Sequence, residues 1–315
     1  MDLDQAATLH RFELESRSAA KATLRLHGVV QRYFLAYCRE QGISRYEDLT
    51  LAHGRGFLLW LGSTAATSPR AASGVRSINT INQYGTLLKT WSKWIADELD
   101  TDDRLARLKL PRADKGEIPV LYKEDVQALV KAAGENRSPF LAIRDTAILF
   151  LFLASGMRKG EMAGLKTTDI DLRSREITVK GKGRRIRAVR FDSETGKVLL
   201  RYLSVRPRCD TSALFVTSTG EPLAVNAYTH VVKKVQTKTG IKVWPHLLRH
   251  TMATEFAEAH PGELFVLQRL LGHSSLTMTA RYADKARMRH VKQDYDANSP
   301  VAALGLKAPR LVRVV

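Results

Sequence analysis

Apolar positions recur at helical spacing through the first hundred residues. Leu24, Val29, Val30, Tyr33, Phe34 and Tyr37 form one amphipathic stripe that ends near Gly42. Phe57 to Leu61 marks a second helix, and Ser63 to Ser73, small and polar with Pro69, reads as a loop. Ser77 is placed to cap a third helix carrying Ile78, Ile81, Tyr84, Leu87, Leu88, Trp91 and Trp94. Arg76, Asn79, Asn82, Gln83 and Lys89 lie off that stripe. On spacing alone they suit DNA backbone and base edges, and equally a solvated helix face. The pattern then stops. Asp100 to Glu117 is charged, contains Pro111 and Gly116, and has no apolar period. A helical domain over 1–100 and an extended linker over 101–118 are predicted.

From 119 to 299 the pattern is mixed, as expected of one further domain. Val126, Leu129 and Val130 share one helix face. Leu141 to Leu153 is apolar nearly all round, which predicts a central core helix ended by Gly156. Arg158 follows at the corner before a short helix, Lys159 to Leu165. There it suits either the floor of a cleft or a cap on backbone carbonyls. Arg175 to Lys180 alternates and reads as a strand, Gly181-Lys182-Gly183 as a turn, and Arg184 to Phe191 as the returning strand. Phe215-Val216 suits a further short strand, and Val225 to Thr239 a helix ended by Gly240. Pro245 opens a helix running to about Ala259, with Leu248, Met252, Phe256 and Ala259 as its buried stripe and His246 and Arg249 on one face. Glu263 to Leu271 is the next helix, closed by Gly272 and followed by His273. Ser275 is placed to cap a last one that holds Tyr282. The fold class is therefore mainly α with a small β-sheet. The stretch 300–315 forms a tail whose Val301 to Leu306 is too apolar to lie free in water.

Composition changes the picture at one point. Apolar content of 44% and charged content of 26% are ordinary, but 50 Lys and Arg against 32 Asp and Glu leave +18. Such an excess points to a polyanion, nucleic acid first and an anionic membrane surface second. From Arg173 to Arg208 there are twelve basic residues and three acidic ones, a density that suits a surface tracking phosphates. The longest apolar run, Ala147 to Ala154, is far too short to span a membrane. Met1-Asp2-Leu3-Asp4 lacks the basic and apolar opening of a signal peptide. Cys38 and Cys209 are too few for a disulfide framework or a zinc site, and they fit a reducing cytosol. A cytoplasmic protein without a metal or cofactor is expected.

The charged and titratable candidates, each ambiguous alone, fall in a fixed order: Ser155-Gly156-Met157-Arg158-Lys159-Gly160-Glu161, Gly181-Lys182-Gly183, His246-Leu247-Leu248-Arg249-His250, and Leu270-Leu271-Gly272-His273-Ser274-Ser275 with Tyr282 beyond. In this the chain resembles the tyrosine recombinase, or phage integrase, family over roughly residues 15–290. The resemblance implies a helical core-binding (SAM-like) domain ahead of a mixed α/β catalytic domain, the two forming a clamp on DNA. It implies Tyr282 as nucleophile, Arg158 and Arg249 as phosphate clamps, Lys182 as general acid, and His246 and His273 as a supporting pair. Glu161 matches an acidic site residue. Lys180 and Arg184 lie close enough to Lys182 to share or take its place, and they join the candidate DNA contacts. The resemblance further implies double-stranded DNA sites as partners, a 3′-phosphotyrosine intermediate, a Holliday junction and a homotetramer on DNA. The apolar tail either folds back on its own domain or, as in similar recombinases, docks on a neighbouring protomer. The helical domain begins almost at once, so no added arm-binding domain is expected. Element integration, transposition and replicon resolution all stay open. So do a type IB topoisomerase and a non-catalytic DNA-binding regulator.

The residue types suit the chemistry. Arg forks neutralise the nonbridging oxygens of a phosphodiester and stabilise the charge that grows in its transition state. A tyrosine, with its reference pKa of about 10, needs a base or a cationic field. The departing 5′ oxygen needs a proton, which a mobile Lys supplies. With that much positive charge a metal ion is dispensable.

Overall fold

The computed structural model describes residues 1–64, 74–112, 119–181 and 186–293, with Tyr295, Ser299, Ala303 and Leu304 beyond them. Lys182, Arg184 and most of the tail fall outside the described residues. The chain divides into two compact units, Met1–Gly116 and Glu117–Val315.

The first unit is helical: α1 (Leu3–Ser16), α2 (Lys21–Glu40), α3 (Leu51–Ser63) and α4 (Ile78–Glu98). The Asp2 carboxylate accepts from the Asp4 and Gln5 N–H groups and so starts α1. The Ser77 hydroxyl starts α4 in the same way. The core centres on Phe34, Phe57 and Trp91. Phe34 meets Phe57 edge-on at 5.1 Å and Trp91 at 6.1 Å between ring centroids.

The stretch expected as a linker behaves differently over its first half. Leu105 and Leu108 are buried in the first unit's core. Their methyl groups lie where a side chain on Gly54 would stand, at 2.9 and 3.3 Å, and Leu110 closes over Gly85. The Lys89 ammonium donates to the Ala106 and Leu108 carbonyls and holds the strap down. The Tyr46 hydroxyl accepts from the Arg104 N–H and donates to the Ser92 carbonyl. Charged neighbours (Arg104, Arg107, Lys109) hide an apolar spacing that the core uses. Leu105→Ala should therefore cost this unit ~2–5 kcal/mol. The measurement is the urea midpoint, and an unchanged midpoint would mean that the strap is a free linker.

The second unit is built round α6 (Pro139–Ser155), flanked by α5 (Lys123–Gly134). Pro139 sits in its first turn, where a missing N–H costs nothing. Gly156 ends it in the left-handed conformation, φ 58°. A side chain there would also press on the Met252 sulfur at 2.9 Å. The chain turns at Gly156 into α7 (Lys159–Ala163) and then into an antiparallel sheet of β1 (Ile170–Asp171), β2 (Glu176–Lys180) and β3 (Ile186–Arg190), in the order β1-β2-β3. Register places Ile177 opposite Val189, and Val179 opposite Arg187. Ile177, Val179 and Val189 are fully buried. Arg187 therefore shares the inward face with the core residues.

α8 (Ser193–Val205) was not anticipated. Asp192 caps it, and Thr195, Leu199 and Tyr202 face the core. Phe215 and Val216 are buried, but Val216 makes only an isolated bridge to Pro222. α9 (Val225–Thr239), α10 (Pro245–Ala259), α11 (Leu264–Leu271) and α12 (Leu276–Gln293) complete the unit.

The buried residues of α10 are Leu247, Leu248, Arg249, Thr251, Ala253, Thr254 and Ala257. This departs from the single stripe expected, because α10 is enclosed on two sides. One side meets the main core. The other meets a small separate cluster of Ala253, Ala257, Leu267, Leu271, Ala286 and Tyr282.

Candidate active site

Two glycine-terminated helices bring the polar groups together. Past Gly156, Arg158 precedes α7, and its N–H donates to Glu161 Oε2 at 2.8 Å. Past α11, Gly272 turns in the left-handed conformation (φ 63°) and delivers His273. The last carbonyls of α11 become a hub. Arg187 Nε donates to Leu270 O at 2.9 Å. Arg249 Nη2 and Arg158 Nη1 donate to Leu271 O at 2.8 and 3.5 Å. A helix C-terminus carries partial negative charge and suits cations. Arg249, only 1% exposed, also donates through Nη1 to Gly156 O at 2.6 Å. Burial and the Arg158 charge lower its pKa to about 10, which leaves it charged at neutral pH.

Glu161 binds this cluster. Arg187 grips its carboxylate with two bonds of 2.9 Å, and Arg158 lies 3.2 Å away. Burial by itself raises the Glu161 pKa, but the Arg187 and Arg158 contacts outweigh it and the net shift is downward. Its pairing is therefore present above the ordinary carboxylate pKa and is lost as pH falls through the lowered one.

Arg249 Nη2 also lies 2.9 Å from His273 Nε2. A guanidinium only donates, so Nε2 carries the lone pair and Nδ1–H donates to Thr279 Oγ1 at 3.0 Å. Burial, then Arg249 and Arg158, lower the His273 pKa to about 4, in keeping with a neutral ring. Tyr282 is 4% exposed, and its ring stacks on His273 at 6.1 Å. Its hydroxyl lies 2.8 Å from His250 Nδ1. Burial raises the Tyr282 pKa against the pull of Arg249, Arg281 and Arg158, so the phenol keeps its proton and donates it. The His250 pKa is lowered to about 4 by burial and then by His246, Arg249 and Arg281, so it accepts as a neutral ring. His246 keeps an open face, with its ring 5.1 Å from that of His250. Crowding round the ring and the Arg249 and Arg158 charges lower its pKa too. Arg158, Glu161, Lys180, Arg187, His273 and Ser274 line an open cleft whose basic side chains suit a phosphodiester.

Arg158, Glu161, His246, Arg249, His273 and Tyr282 thus converge. Lys180 lines the same cleft, with Asp169 at 3.9 Å. Lys182 and Arg184 lie outside the described residues. Reading the residues in order missed Arg187, His250 and Thr279. His250 was within reach, since it follows His246 by one helical turn.

In the first unit Arg76 departs from the DNA-facing expectation. It is buried, donates to the Leu61 and Thr64 carbonyls, and lies over the Tyr33 ring at 4.5 Å. Arg76→Ala should lower stability by ~1–3 kcal/mol while leaving the salt dependence of DNA binding unchanged. Salt titrations and denaturation of one variant separate the two roles. Lys89 braces the strap, and Asn82 is half-buried with an unpartnered carboxamide oxygen. Asn79 and Gln83 are exposed on α4.

A helical unit precedes a mixed unit that gathers a tyrosine, histidines and arginines, a set of groups with the charge and donors to act on a phosphodiester. The Phage integrase family model matches residues 119–289. The chain belongs to this family, the tyrosine recombinases, which are site-specific DNA recombinases. It is 33% identical to Tyrosine recombinase XerC 2 of Ralstonia nicotianae, over 88% of this chain and 80% of that one. It is 31% identical to Tyrosine recombinase XerC of Alcanivorax borkumensis, over 72% of this chain and 75% of that one. Among solved folds, XerH site-specific recombinase bound to palindromic difH substrate superposes with a TM-score of 0.70 at 19% identity, over 90% of this chain and 83% of that one. The Tn1549 transposon integrase in complex with circular intermediate DNA gives 0.69 at 20% identity, covering 91% and 99%. Among the described residues no helix is long and apolar enough to cross a membrane.

Proposed function

We propose that this chain carries out conservative site-specific recombination between double-stranded DNA sites, with Tyr282 as nucleophile. The observation that carries the reading is the meeting of Tyr282, His273, Arg249 and Arg158 around the end of α11. Arg158 and Arg249 hold the nonbridging oxygens of the scissile phosphate and stabilise its transition state. Tyr282 attacks phosphorus, the P–O5′ bond breaks, and Lys182 gives the leaving 5′ oxygen its proton. The resulting 3′-phosphotyrosine keeps the energy of the broken bond, so a 5′-hydroxyl from the partner site reseals it without ATP. Four protomers on two sites would exchange one pair of strands at a time through a Holliday junction. The apolar tail after Pro300 would dock on a neighbouring protomer and close a ring. The task served is a mobile element or the resolution of a replicon.

DNA linked covalently to the protein in cells is recovered and sequenced, and duplexes of that sequence are tested for recombination between two sites and for supercoil relaxation. Recombination supports the reading. Relaxation without recombination means a topoisomerase-like activity, and binding without an adduct means a regulator.

A further inference from the structure

Among the described residues His250 is the one imidazole hydrogen-bonded to the Tyr282 hydroxyl, and the roles given above leave it unused. Its Nδ1 sits 2.8 Å from the Tyr282 hydroxyl, in line to receive the phenolic proton. The other two rings are less suited. His273 has both nitrogens engaged, Nε2 by Arg249 and Nδ1 by Thr279. To act as a base it would have to release the guanidinium that the phosphate needs. His246 meets the ring of His250, with centroids 5.1 Å apart, whereas the Tyr282 hydroxyl is bonded to His250.

We propose that His250 is the general base of strand cleavage, taking the proton of Tyr282 through Nδ1 as the phenol oxygen attacks phosphorus. This rests on Tyr282 being the nucleophile. In the forward step the Tyr282 O–H bond breaks and the proton moves to His250, which becomes an imidazolium. The Tyr282 O–P bond forms, the P–O5′ bond breaks, and the 5′ oxygen leaves with a proton from the acid. In resealing, the 5′-hydroxyl loses its proton to that acid, its oxygen attacks phosphorus, and the phenolate leaves and recovers its proton from His250. Each passage restores the starting protonation, so no outside base is consumed.

The charges round the ring make this base conditional. The charges of His246 and Arg249 on α10 and of Arg281 on α12 act on the His250 ring, and those of Arg249 and Arg158 act on His273 beside it. Without DNA, burial first and then the charges of His246, Arg249 and Arg281 keep His250 a weak base, at about 4. A phosphodiester seated on Arg158 and Arg249 brings the missing negative charge, and an imidazolium beside it then costs less. A protein off its DNA thus leaves the nucleophile protonated and inert.

The probe is a nicked suicide duplex bearing the site recovered from covalent complexes, in single-turnover cleavage by the wild type, Tyr282→Phe, His250→Gln and His250→Ala. The Gln carboxamide oxygen can accept the Tyr282 hydrogen bond but cannot take its proton. His250→Gln and His250→Ala should bind DNA like the wild type and cut it ~10²-fold or more slowly. Imidazole should restore part of the rate to His250→Ala. A duplex with sulfur at the bridging 5′ position, whose thiolate leaves without an acid, should not rescue His250→Gln. Cleavage by His250→Gln at the wild-type rate would reduce the residue to positioning and overturn the proposal, with Tyr282 still the nucleophile. A wild type that forms no adduct, or a Tyr282→Phe variant that does, would overturn the underlying reading as well.

Discussion

Tyr282→Phe should form no covalent adduct and should bind DNA with nearly unchanged affinity. The variant loses one oxygen. Its ring stays among Ala253, Leu267, Leu271 and Ala286, so α10, α11 and α12 remain packed as before. The lost bond to His250 is an ordinary hydrogen bond, a net contribution of ~0.5–1.5 kcal/mol. Affinity for DNA rests on many phosphate contacts made by a chain of formal charge +18, and one phenol adds little to that sum. A nicked duplex on a denaturing gel gives the answer. A persistent adduct in the Phe variant would remove Tyr282 from the chemistry.

Arg249→Ala should fail in two ways at once. The guanidinium is sealed from solvent and serves Gly156 O, Leu271 O and His273 Nε2. Removing it leaves buried acceptors without donors, at ~1–3 kcal/mol each. It also frees His273 to turn. Cleavage should fall by at least about 2.7 kcal/mol of transition-state stabilisation. Arg249→Lys should recover little of either loss, because one ammonium cannot span three acceptors lying on two segments of chain. Denaturant midpoints and single-turnover cleavage of both variants are the measurements. A Lys variant with the midpoint and rate of the wild type would contradict this account. The two predictions separate cleanly: loss of Tyr282 should abolish the reaction alone, whereas loss of Arg249 should also loosen the site around it.

Much of the site was legible in the sequence because its residues stand at helix ends. Gly156 and Gly272 announce left-handed turns, and the residues after them, Arg158 and His273, are the ones the turns deliver. Pro245 fixed the start of α10 in the same way. Continuous structure was harder. α8 escaped notice because its core positions stand among basic residues that invited a reading by charge. The strap at Leu105 and Leu108 was disguised similarly. Arg76 shows the converse error. Its distance from the apolar stripe of α4 suggested solvent, yet carbonyls at the end of α3 and the Tyr33 ring enclose it. Arg187 depended on strand register, since only the pairing with Val179 shows that it faces inward.

The acceptors that assemble the arginines at the end of α11 are main-chain oxygens of Leu270 and Leu271. Replacing a side chain cannot delete them, so both positions can drift among residues of similar bulk while the hub persists. Vulnerability moves to the one neighbour whose identity sets the path of that backbone. Gly272 holds φ 63°, and a methyl group there would come within 3.2 Å of the Arg187 guanidinium. Inactivating variants should therefore gather at Gly272, and at insertions or deletions within α11 that rotate the carbonyls away. In a population of such genes the helix would look permissive residue by residue and intolerant of any change in its length.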